Sequence, residues 1–341
     1  MKEHRRDIHV LKYFSSFVSV SGGKVICVTE PKLAFCPLAA HLHEGLGRLA
    51  SPDPARVKKA VKRAIESKIR EHGFFTARRR FSGEEISVPY GASEMLMAAL
   101  RNGAVDAAVV VCDGAGTVIV DRAEAAQGIG GRMNTLLLTS PIREVRDRLE
   151  ELGCVIVHGN ALIDQVGGAK AAIRRGHRTV AVTVAGHSSQ DLKKLRLLEV
   201  EAGVRIISLV VCTTGVDSAA IEDMRSYADL VWSCASSDVR EKIGAEALMQ
   251  LSRLIPVFVL TRAGLDFVAA YADDPALIRG LEEERQYLVS ADRKGRRLRM
   301  GHFGVVLSEA ALPVPGRRMP VFRDRAARGL KAGAYYHERV S

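Results

Sequence analysis

The sequence predicts an α/β fold with a mostly parallel sheet, flanking helices in Rossmann-like layers and a small N-terminal β-hairpin. One observation is the apolar run at 107–111, which lacks polar alternation and is typical of a strand buried on both faces. Another is the regular alternation of strand and helix patterns between residues 141 and 270. Such alternation predicts right-handed βαβ units, which place successive strands in parallel.

The N-terminal residues predict a pair of strands. Apolar residues dominate 9–20 and 24–28, and the glycine-containing turn at 21–23 suits a tight hairpin. A proline-bounded loop follows and contains Cys36, whose thiol is expected to be more accessible than one inside a strand. We expect this β element and the Cys-Pro loop to occupy residues 1–50.

Two helices are predicted before the central strand. The first, at 55–71, follows Pro54 and a Ser or Asp cap, and basic residues alternate with apolar ones along it. The second, at 94–101, ends at the Asn-Gly pair 102–103. Arg78, Arg79 and Arg80 form a basic cluster in the loop between them, and the sequence assigns this cluster no role.

Glycines mark the ends of helices in the second half of the chain, as at Gly153 and Gly176, and a short apolar run follows each. The predicted strands lie at 107–111, 154–157, 179–184, 204–211, 229–232 and 256–260, and the predicted helices at 141–152, 164–175, 189–201, 218–227, 237–253 and 263–270. We expect these elements to form a core domain over residues 51–284.

The basic charge is concentrated near the C-terminus. The chain has a formal net charge of +11, and residues 286–341, with twelve Lys or Arg and four Asp or Glu, contribute +8 of it. The other 285 residues carry only +3, which argues against a nucleic-acid-binding core. Residues 285–341 are therefore interpreted as a poorly packed basic extension, the one region suited to contact with nucleic acid or an acidic protein.

The sequence favours a cytoplasmic protein. No apolar stretch approaches the roughly 18 residues of a membrane span, and the first residues lack the apolar core of a secretory signal. The six cysteines are then expected to be thiols, which can act as ligands or nucleophiles.

Cysteines end three of the predicted strands. Cys112, Cys212 and Cys234 are expected to converge, because the carboxyl ends of parallel strands meet at one edge of a sheet. Together with Cys36 they would supply four thiolates, which suit a [4Fe-4S] cluster or tetrahedral zinc. No two of them form a CxxC pair, so this metal site would depend on the fold to bring distant loops together.

A second hypothesis is an enzyme at the same edge that acts on a small anionic or phosphorylated metabolite. Cys112 or Cys212 would be the nucleophile, with Asp113, His158 or Asp164 as acid or base. Backbone N–H groups, hydroxyls and one guanidinium would hold the anion; they belong to Gly114, Gly116, Thr117, Gly128, Gly130, Gly131, Arg132, Thr213, Thr214, Gly215 and Ser236. A plain structural turn is the alternative for the glycines at 128–131, and a structural histidine for His158.

Several motifs, taken together and in this order, resemble the methanogenesis marker protein 8 family, a set of uncharacterised proteins from methanogenic archaea and anaerobic relatives. The likeness runs from about residue 8 to about residue 270. The motifs are Cys36-Pro37-Leu38, Ser93-Glu94-Met95-Leu96, the segment 110–119, the segment 127–132, Ile163-Asp164-Gln165-Val166 and Cys212-Thr213-Thr214-Gly215.

The resemblance implies a cytoplasmic accessory protein of methanogenesis-type anaerobic metabolism, linked to methyl-coenzyme M reductase. Metalloenzyme maturation proteins are the partners that such a role implies. A third hypothesis follows, a noncatalytic assembly factor whose thiols only pack and whose basic tail makes the contact. The sequence leaves open whether the protein is an enzyme.

Overall fold

The computed structural model describes residues 7–13, 15–33, 53–81 and 88–315. Cys36 with its loop and residues 316–341 lie outside these ranges. The strands of the described part are β1 (His9–Tyr13), β2 (Ser16–Ser21), β3 (Lys24–Val28), β4 (Ala107–Cys112), β5 (Gly116–Val120), β6 (Thr135–Thr139), β7 (Val155–Ile156), β8 (Thr179–Ala185), β9 (Arg205–Val211), β10 (Leu230–Trp232), β11 (Met249–Leu251), β12 (Val257–Val259), β13 (Tyr287–Ser290), β14 (Arg296–Met300) and β15 (Phe303–Glu309).

The helices of the same ranges are α1 (Pro54–His72), α2 (Ala92–Arg101), α3 (Ala123–Gly130), α4 (Arg143–Glu151), α5 (Gln165–Arg174), α6 (Gln190–Ala202), α7 (Ser218–Tyr227), α8 (Ser237–Lys242), α9 (Arg262–Ala269) and α10 (Pro275–Arg279). The predicted start of α1 is confirmed, because the Asp53 carboxylate accepts hydrogen bonds from the N–H groups of Ala55 and Arg56. No helix among these is long and apolar enough to cross a membrane.

The strands form two sheets. The large sheet has eleven strands in the order β14-β15-β13-β11-β12-β10-β9-β8-β4-β5-β7, and the small sheet has four in the order β3-β2-β1-β6. The centre of the large sheet is parallel from β4 through β8 and β9 to β10, and β11 also runs parallel to β13. The remaining six neighbouring pairs are antiparallel. The prediction of a mostly parallel, Rossmann-like sheet is therefore wrong, and the fold is a mixed α/β fold.

One cause of this difference is the turn that follows the central strand. β4 pairs antiparallel with β5 across a tight turn, with Cys112 opposite Gly116. A connection this short permits only antiparallel pairing, whereas a parallel pair needs a crossover of a dozen or more residues. Gly116 is required here, since a Cβ atom would lie 2.4 Å from the backbone of Ala161 and the φ angle is +72°.

The helix predicted at 237–253 is also wrong. The segment forms the short helix α8, a 3-10 turn and then β11, which lies between β12 and β13 in the large sheet. Met249, Gln250 and Leu251 are good helix formers, but all three are buried and paired on both sides. Tertiary pairing has therefore overridden their local propensity.

Residues assigned to the basic extension also belong to the sheet. β13, β14 and β15 pair with one another, and β13 pairs with β11. Leu288 and Val289 are fully buried. The expectation of poor packing is wrong for this part of the extension, while residues 316–341 lie outside the described ranges.

Helices cover both faces of the large sheet. On one face, residues of α2, α3, α4 and α9 pack with alternate residues of β4, such as Val110. On the other, residues of α5, α6 and α7 pack with the intervening residues, such as Val109. The sheet centre is thus buried on both sides, as the apolar run at 107–111 predicts.

The small sheet has its own core. Leu11, Val18 and Val20 pack against α1 through Val61 and Ile65. This core also includes Ala235, which follows β10 of the large sheet, so the small sheet and α1 lie against the carboxyl edge of the parallel strands.

A buried ion pair joins the two parts. One oxygen of the Asp113 carboxylate, in the β4–β5 turn, accepts a hydrogen bond from Arg79 Nε at 2.9 Å, and the other accepts one from the Phe75 N–H at 2.6 Å. The Arg79 and Asp113 side chains are 2% and 0% exposed. Arg79 also donates to the carbonyls of Gly128 and Ile129 at the end of α3. The pair therefore connects the loop after α1, the central turn and α3.

We expect Asp113→Asn to destabilise the fold strongly, because it leaves the Arg79 guanidinium buried without a counter-ion. The expected loss is about 3–5 kcal/mol in the free energy of unfolding, measured by urea denaturation. Glu124→Gln is the matched control, since it breaks an ion pair with Arg101 whose side chains are 60% and 55% exposed; it should cost less than about 1 kcal/mol. Equal losses of unfolding free energy in the two variants would show that the buried ion pair contributes no more to stability than the exposed pair.

Candidate functional site

The carboxyl ends of the neighbouring strands β8, β9 and β10 form the candidate site. A 3-10 turn at Gly186–Ser188 follows β8, Cys212 follows β9 directly, and Cys234 lies two residues after β10. The ends of β8 and β9 are in close contact, because a Cβ atom on Gly186 would lie 3.0 Å from Thr213 Cα. Both cysteines are free and half-buried. The sequence therefore placed these two thiols at the correct edge.

The two cysteines share an unusual backbone conformation. The φ angle is +61° at Cys212 and +47° at Cys234, in the left-handed region that favours glycine. Such a conformation costs a residue with a side chain about 1–3 kcal/mol and is concentrated at functional sites. Strain at two adjacent strand ends therefore points to a role for both side chains.

The Cys234 sulfur is held by the preceding strand end. The N–H groups of Cys212 and Thr213 direct hydrogen bonds to it. Burial raises the pKa of the Cys234 thiol, and these hydrogen bonds oppose that effect without cancelling it. Cys234 is thus a protonated, well-fixed thiol beside Cys212.

Lys12 extends from β1 of the small sheet to this edge. Its Nζ donates a hydrogen bond to the Thr214 carbonyl at 2.5 Å. Burial lowers the pKa of Lys12, and the nearby thiols of Cys212 and Cys234 oppose the shift. Loss of hydration and then the Lys12 ammonium lower the pKa of His187, which lies on the turn after β8.

Lys68 reaches the same region from α1 and is only 3% exposed. Its Nζ donates hydrogen bonds to the Arg132 carbonyl at 2.5 Å and to Asn134 Oδ1 at 2.6 Å. Burial, together with the charges of Arg132 and Arg79, lowers the pKa of Lys68 to about 7, and Cys212 opposes the shift. A lysine that titrates near neutral pH can exchange a proton under physiological conditions.

These groups give the site a positive character. Lys12 and Lys68 approach the thiol of Cys212, Arg132 lies beside Lys68, and the hydrogen bonds of the two lysines go to carbonyl oxygens of the backbone and of an amide. Within the ranges that the structure describes, neither lysine forms an ion pair with a carboxylate. The arrangement therefore suits an anionic ligand.

Cys112 does not join the other two thiols, contrary to the predicted convergence. It is fully buried in the same core as Val110, and its thiol donates a hydrogen bond to the Asp113 carbonyl at 3.4 Å. Burial raises the pKa of Cys112 well above its usual value, and the Asp113 charge raises it further. A thiol held neutral in this way is a poor nucleophile or ligand. The cause is the hairpin, which extends β4 by one residue and turns Cys112 into the core.

The other predicted residues of the central turn have structural contacts. Asp113 uses both oxygens in the buried network described above. Gly114 donates its N–H to Thr139 Oγ1 at 2.8 Å, and Thr117 donates its hydroxyl to Gln165 at 2.9 Å. Gly116 permits the close approach of residue 161. These contacts explain all four residues without a ligand.

His158 and Asp164 lie together but away from the cysteines. His158 Nε2 is 3.2 Å from Asp164 Oδ2, and Asp164 also caps α5 through the Gly167 N–H. His158 follows β7, which is four strands from β9 in the sheet order. At a strand spacing of about 4.8 Å the strands β7 and β9 are roughly 19 Å apart. A shared role of His158 and Asp164 with the cysteines stays a prediction.

The predicted glycine-rich loop at 127–132 is largely helix. Gly128 and Gly130 belong to α3 and allow close packing, with a Cβ on Gly128 only 3.0 Å from the backbone of Phe81. Gly131 follows the helix, and this end of α3 presents carbonyl groups to Arg79. Carbonyl oxygens do not bind anions, and these contacts give the glycines a structural role; anion binding by this loop stays a prediction. Arg132 reaches the site through its carbonyl contact with Lys68.

Four remaining predicted residues lie at the edge itself. Thr213 donates its hydroxyl to the Trp232 carbonyl at 2.7 Å, and the Thr214 hydroxyl accepts a hydrogen bond from the Ala235 N–H. Ser236 caps α8, and Gly215 has a φ angle of +73° close to Lys12. These four residues lie next to the two cysteines and stabilise the strand ends that carry them.

No three side chains of His, Cys, Asp or Glu in the described part of the chain are grouped as they would be around a metal ion. Cys212 and Cys234 are adjacent, whereas Cys112 faces the core. Cys36 lies outside the described residues. A four-cysteine site thus stays a prediction.

Sequence reasoning missed Lys12, Lys68, Asn134 and His187. Lys12 alternates with the buried residues Leu11 and Tyr13, which is the ordinary pattern of a solvated strand face. Lys68 lies on a helix with many other lysines and is the buried one among them. Only the packing of the small sheet against the strand ends distinguishes these residues from surface lysines.

Comparison with known proteins gives a family. Residues 9–272 match the family described as "Uncharacterized protein conserved in archaea (DUF2099)". The chain is 36% identical over 270 residues to "Uncharacterized protein MJ0054" of Methanocaldococcus jannaschii, an overlap that covers 79% of this chain and 92% of that protein. No solved structure matches the chain.

The pKa of Lys68 predicts a pH-dependent stability. Between pH 7 and about 10 the unfolded chain, with an ordinary lysine pKa of 10.5, binds one more proton at this position than the folded chain. The free energy of unfolding should therefore rise with pH in this range by up to about 1.4 kcal/mol per pH unit, relative to a Lys68→Met variant. Urea denaturation of both proteins at several pH values measures the difference.

Lys58→Met is the control, because Lys58 lies on the exposed side of the same helix. Its difference from the wild type should not change with pH between 7 and 10. A flat difference for Lys68→Met as well would mean that Lys68 keeps an ordinary pKa.

Proposed function

The chain belongs to this family of uncharacterised proteins conserved in archaea, and we propose that it is an enzyme acting on a small anionic metabolite at the carboxyl edge of β8, β9 and β10. Cys212 is the nucleophile, and Lys12, Lys68 and Arg132 attract and orient the anion. The setting proposed is the methanogenesis-type anaerobic metabolism that the resemblance to methanogenesis marker protein 8 implies, in the cytoplasm. The observation that carries the proposal is the approach of the half-buried Lys12 from the small sheet and of the buried Lys68 from α1 to the thiol of Cys212.

The charge of the site supports an anionic substrate. Lys12 and Lys68 lose hydration on burial, and their contacts are to carbonyl oxygens, which carry only partial charges. An anion that enters the site would compensate for this lost hydration. A neutral substrate would not.

The position of Cys212 supports nucleophilic attack. Its side chain is half-buried at a strand end, unlike the fully buried Cys112. Lys12 lies near enough to interact with its charge, and cationic neighbours are typical of reactive cysteines. Cys234 is less suited to attack, because burial raises its pKa and its sulfur already accepts hydrogen bonds.

Alkylation with two reagents of different charge tests the proposal. Iodoacetate is anionic and iodoacetamide is neutral, so the ratio of their rates at Cys212 reports the local charge and cancels the thiolate fraction. We expect Lys12→Gln to lower this ratio roughly fivefold, the equivalent of about 1 kcal/mol of charge interaction at a partly hydrated site. Rates at Cys212 are measured by peptide mapping and mass spectrometry.

Lys24→Gln is the matched control, because Lys24 is exposed in the β2–β3 hairpin. It should leave the ratio unchanged. Inorganic phosphate should slow the alkylation of Cys212 in the wild type and not in Lys12→Gln. A ratio that is the same in all three proteins would overturn the proposal of a cationic substrate site.

A second candidate function is the binding of zinc or an iron–sulfur cluster in an accessory or assembly protein. The adjacency of Cys212 and Cys234 favours it, since both thiols can face one centre from neighbouring strand ends. Further ligands would have to come from elsewhere, Cys36 among them. Metalloenzyme maturation proteins would be the partners, with the basic tail as a contact.

Metal analysis separates the two candidates. If the second is correct, protein purified without oxygen should contain iron or zinc in stoichiometric amount, and Cys212→Ser and Cys234→Ser should each abolish it. Acid-labile sulfide distinguishes a cluster from zinc. Protein that stays metal-free after reconstitution would exclude this candidate.

A further inference from the structure

The last strands of the large sheet carry a dense group of positive charges. Residues 293–299 contain four arginines, one lysine and no Asp or Glu. Arg293 and Lys294 lie in the connection from β13 to β14, and Arg296, Arg297 and Arg299 lie on β14. All five residues are exposed. Together they are named the β14 basic cluster.

Two arginines of the cluster share one face of the sheet. Arg297 is opposite Val306 of β15 and Arg299 is opposite Gly304, whereas Leu298 between them is buried on the other face. A Cβ atom on Gly304 would meet no atom of the described residues within 4 Å. The face that carries the two arginines is therefore open at Gly304 in the described part of the chain.

The connection from β13 to β14 approaches the same face. A Cβ atom on Gly295 would lie 3.0 Å from Cγ1 of Val306, whose side chain is on the Arg297 side of the sheet. Arg293 and Lys294 immediately precede Gly295. The connection thus adds two further positive charges next to those of β14.

The charges of the cluster are not neutralised within the described ranges. None of its five side chains forms an ion pair there. Two carboxylates beside the cluster have other partners, since Asp292 pairs with Arg253 and Asp273 accepts a hydrogen bond from the backbone N–H of Arg299 at 2.7 Å. A surface that concentrates positive charge in this way attracts a polyanion.

Protection of a sheet edge does not explain the cluster. Charged side chains often shield an exposed edge strand from pairing with another chain, and β14 is the last strand of the large sheet. Residues 271–273 already cover part of this edge, because the Asp273 N–H donates to the Arg299 carbonyl at 2.8 Å and Ala272 forms a bridge with Met300. Arg297 and Arg299 also belong to a face of the sheet and not to its edge.

We propose that the β14 basic cluster binds the phosphate backbone of duplex DNA. A guanidinium group has five N–H donors in a planar fork that matches the oxygen atoms of a phosphate. Four of the five residues are arginines. Duplex DNA offers about one negative charge per 1.7 Å of its axis, so several phosphates can contact one cluster.

The surroundings of the cluster favour this partner over others. Of the large apolar side chains that are exposed in the described ranges, none belongs to β13, β14 or β15, whereas protein partners and membranes need apolar contacts. Single strands stack their bases on exposed aromatic rings, but Tyr287 and Phe303 pack in the core. Arginine and lysine have no acceptor for the hydroxyl hydrogen of a ribose, so we infer DNA as the duplex.

The cluster is separate from the candidate site at Cys212. β14 lies six strands from β9 in the order of the large sheet. It also lies beyond residues 9–272, which match the family. Binding of DNA here neither requires nor excludes the proposed reaction on a small anion.

Salt-dependent binding tests the inference. Fluorescence anisotropy measures the affinity of the full chain for a labelled duplex of about 20 base pairs at several salt concentrations. We expect the triple variant Arg293→Gln, Arg297→Gln and Arg299→Gln to bind at least tenfold more weakly at about 100 mM salt. The slope of log K against log salt should become shallower by about 2.7, since each lost phosphate contact accounts for about 0.9.

The matched control removes three positive charges elsewhere. Lys59→Gln, Lys62→Gln and Arg63→Gln lie on the exposed side of α1 and change the net charge by the same amount. This variant should bind within about twofold of the wild type. Equal weakening in the two triple variants would mean that only the net charge matters, and the assignment to β14 would be wrong.

Two further comparisons test the partner and the position. A single strand of the same length and an RNA duplex should both bind more weakly than the DNA duplex, and tighter binding of either would contradict the choice of partner. The basic residues beyond 315 are tested by Arg317→Gln, Arg318→Gln and Arg323→Gln. A loss of affinity confined to that variant would move the binding surface away from β14 and reject the inference.

Discussion

The buried ion pair between Arg79 and Asp113 is the interaction on which the candidate site depends. Asp113 lies in the turn after the central strand, and its second oxygen binds the Phe75 N–H in the loop that follows α1. This loop fixes the end of α1 and hence the position of Lys68. The same turn binds Thr139 of β6, which pairs with β1 and so places the strand that carries Lys12. Both lysines therefore reach the strand ends through contacts that begin at the β4–β5 turn.

The burial of Lys68 lowers the stability of the fold and would favour the binding of the anion that we propose. Burying Lys68 without a carboxylate partner is unfavourable, and the lowered pKa is the response of the amine to that burial. Carbonyl oxygens of Arg132 and Thr214 supply enough negative potential to keep the two lysines in place. They leave the net charge of the site positive, which a carboxylate would have cancelled. The anionic substrate that we propose would supply the counter-charge that the isolated fold lacks.

The sequence predicts the parts of this molecule that depend on local pattern. The alternation from residue 141 onwards is confirmed for β8, β9 and β10 and for the helices between them, and Cys212 and Cys234 lie at the predicted edge. The sequence does not predict which strands pair with one another. The turn after Cys112 could lead either to a helix or to a hairpin, because glycines suit both, and the hairpin buries the thiol that the sequence placed at the edge.

The missed lysines show the same limit. Lys12 and Lys68 have the sequence surroundings of solvated residues, and their roles arise because the small sheet packs against strand ends more than a hundred residues away in the chain. The helix predicted at 237–253 fails for an equivalent reason, since the pairing of β11 depends on β13, which lies beyond the region where the sequence predicted strands. Local propensity cannot report such long-range pairing.

The left-handed conformation of Cys212 helps to assign the partners of the anion. In the same loop, Gly215 has a φ angle of +73°, so glycine is present where only the backbone needs this conformation. At Cys212 the conformation directs successive N–H groups, its own and that of Thr213, toward one point, as in the nests that bind anions. The Cys234 sulfur occupies that point. These two backbone donors are thus already engaged, so the anionic substrate that we propose would have to be held by side chains such as those of the lysines.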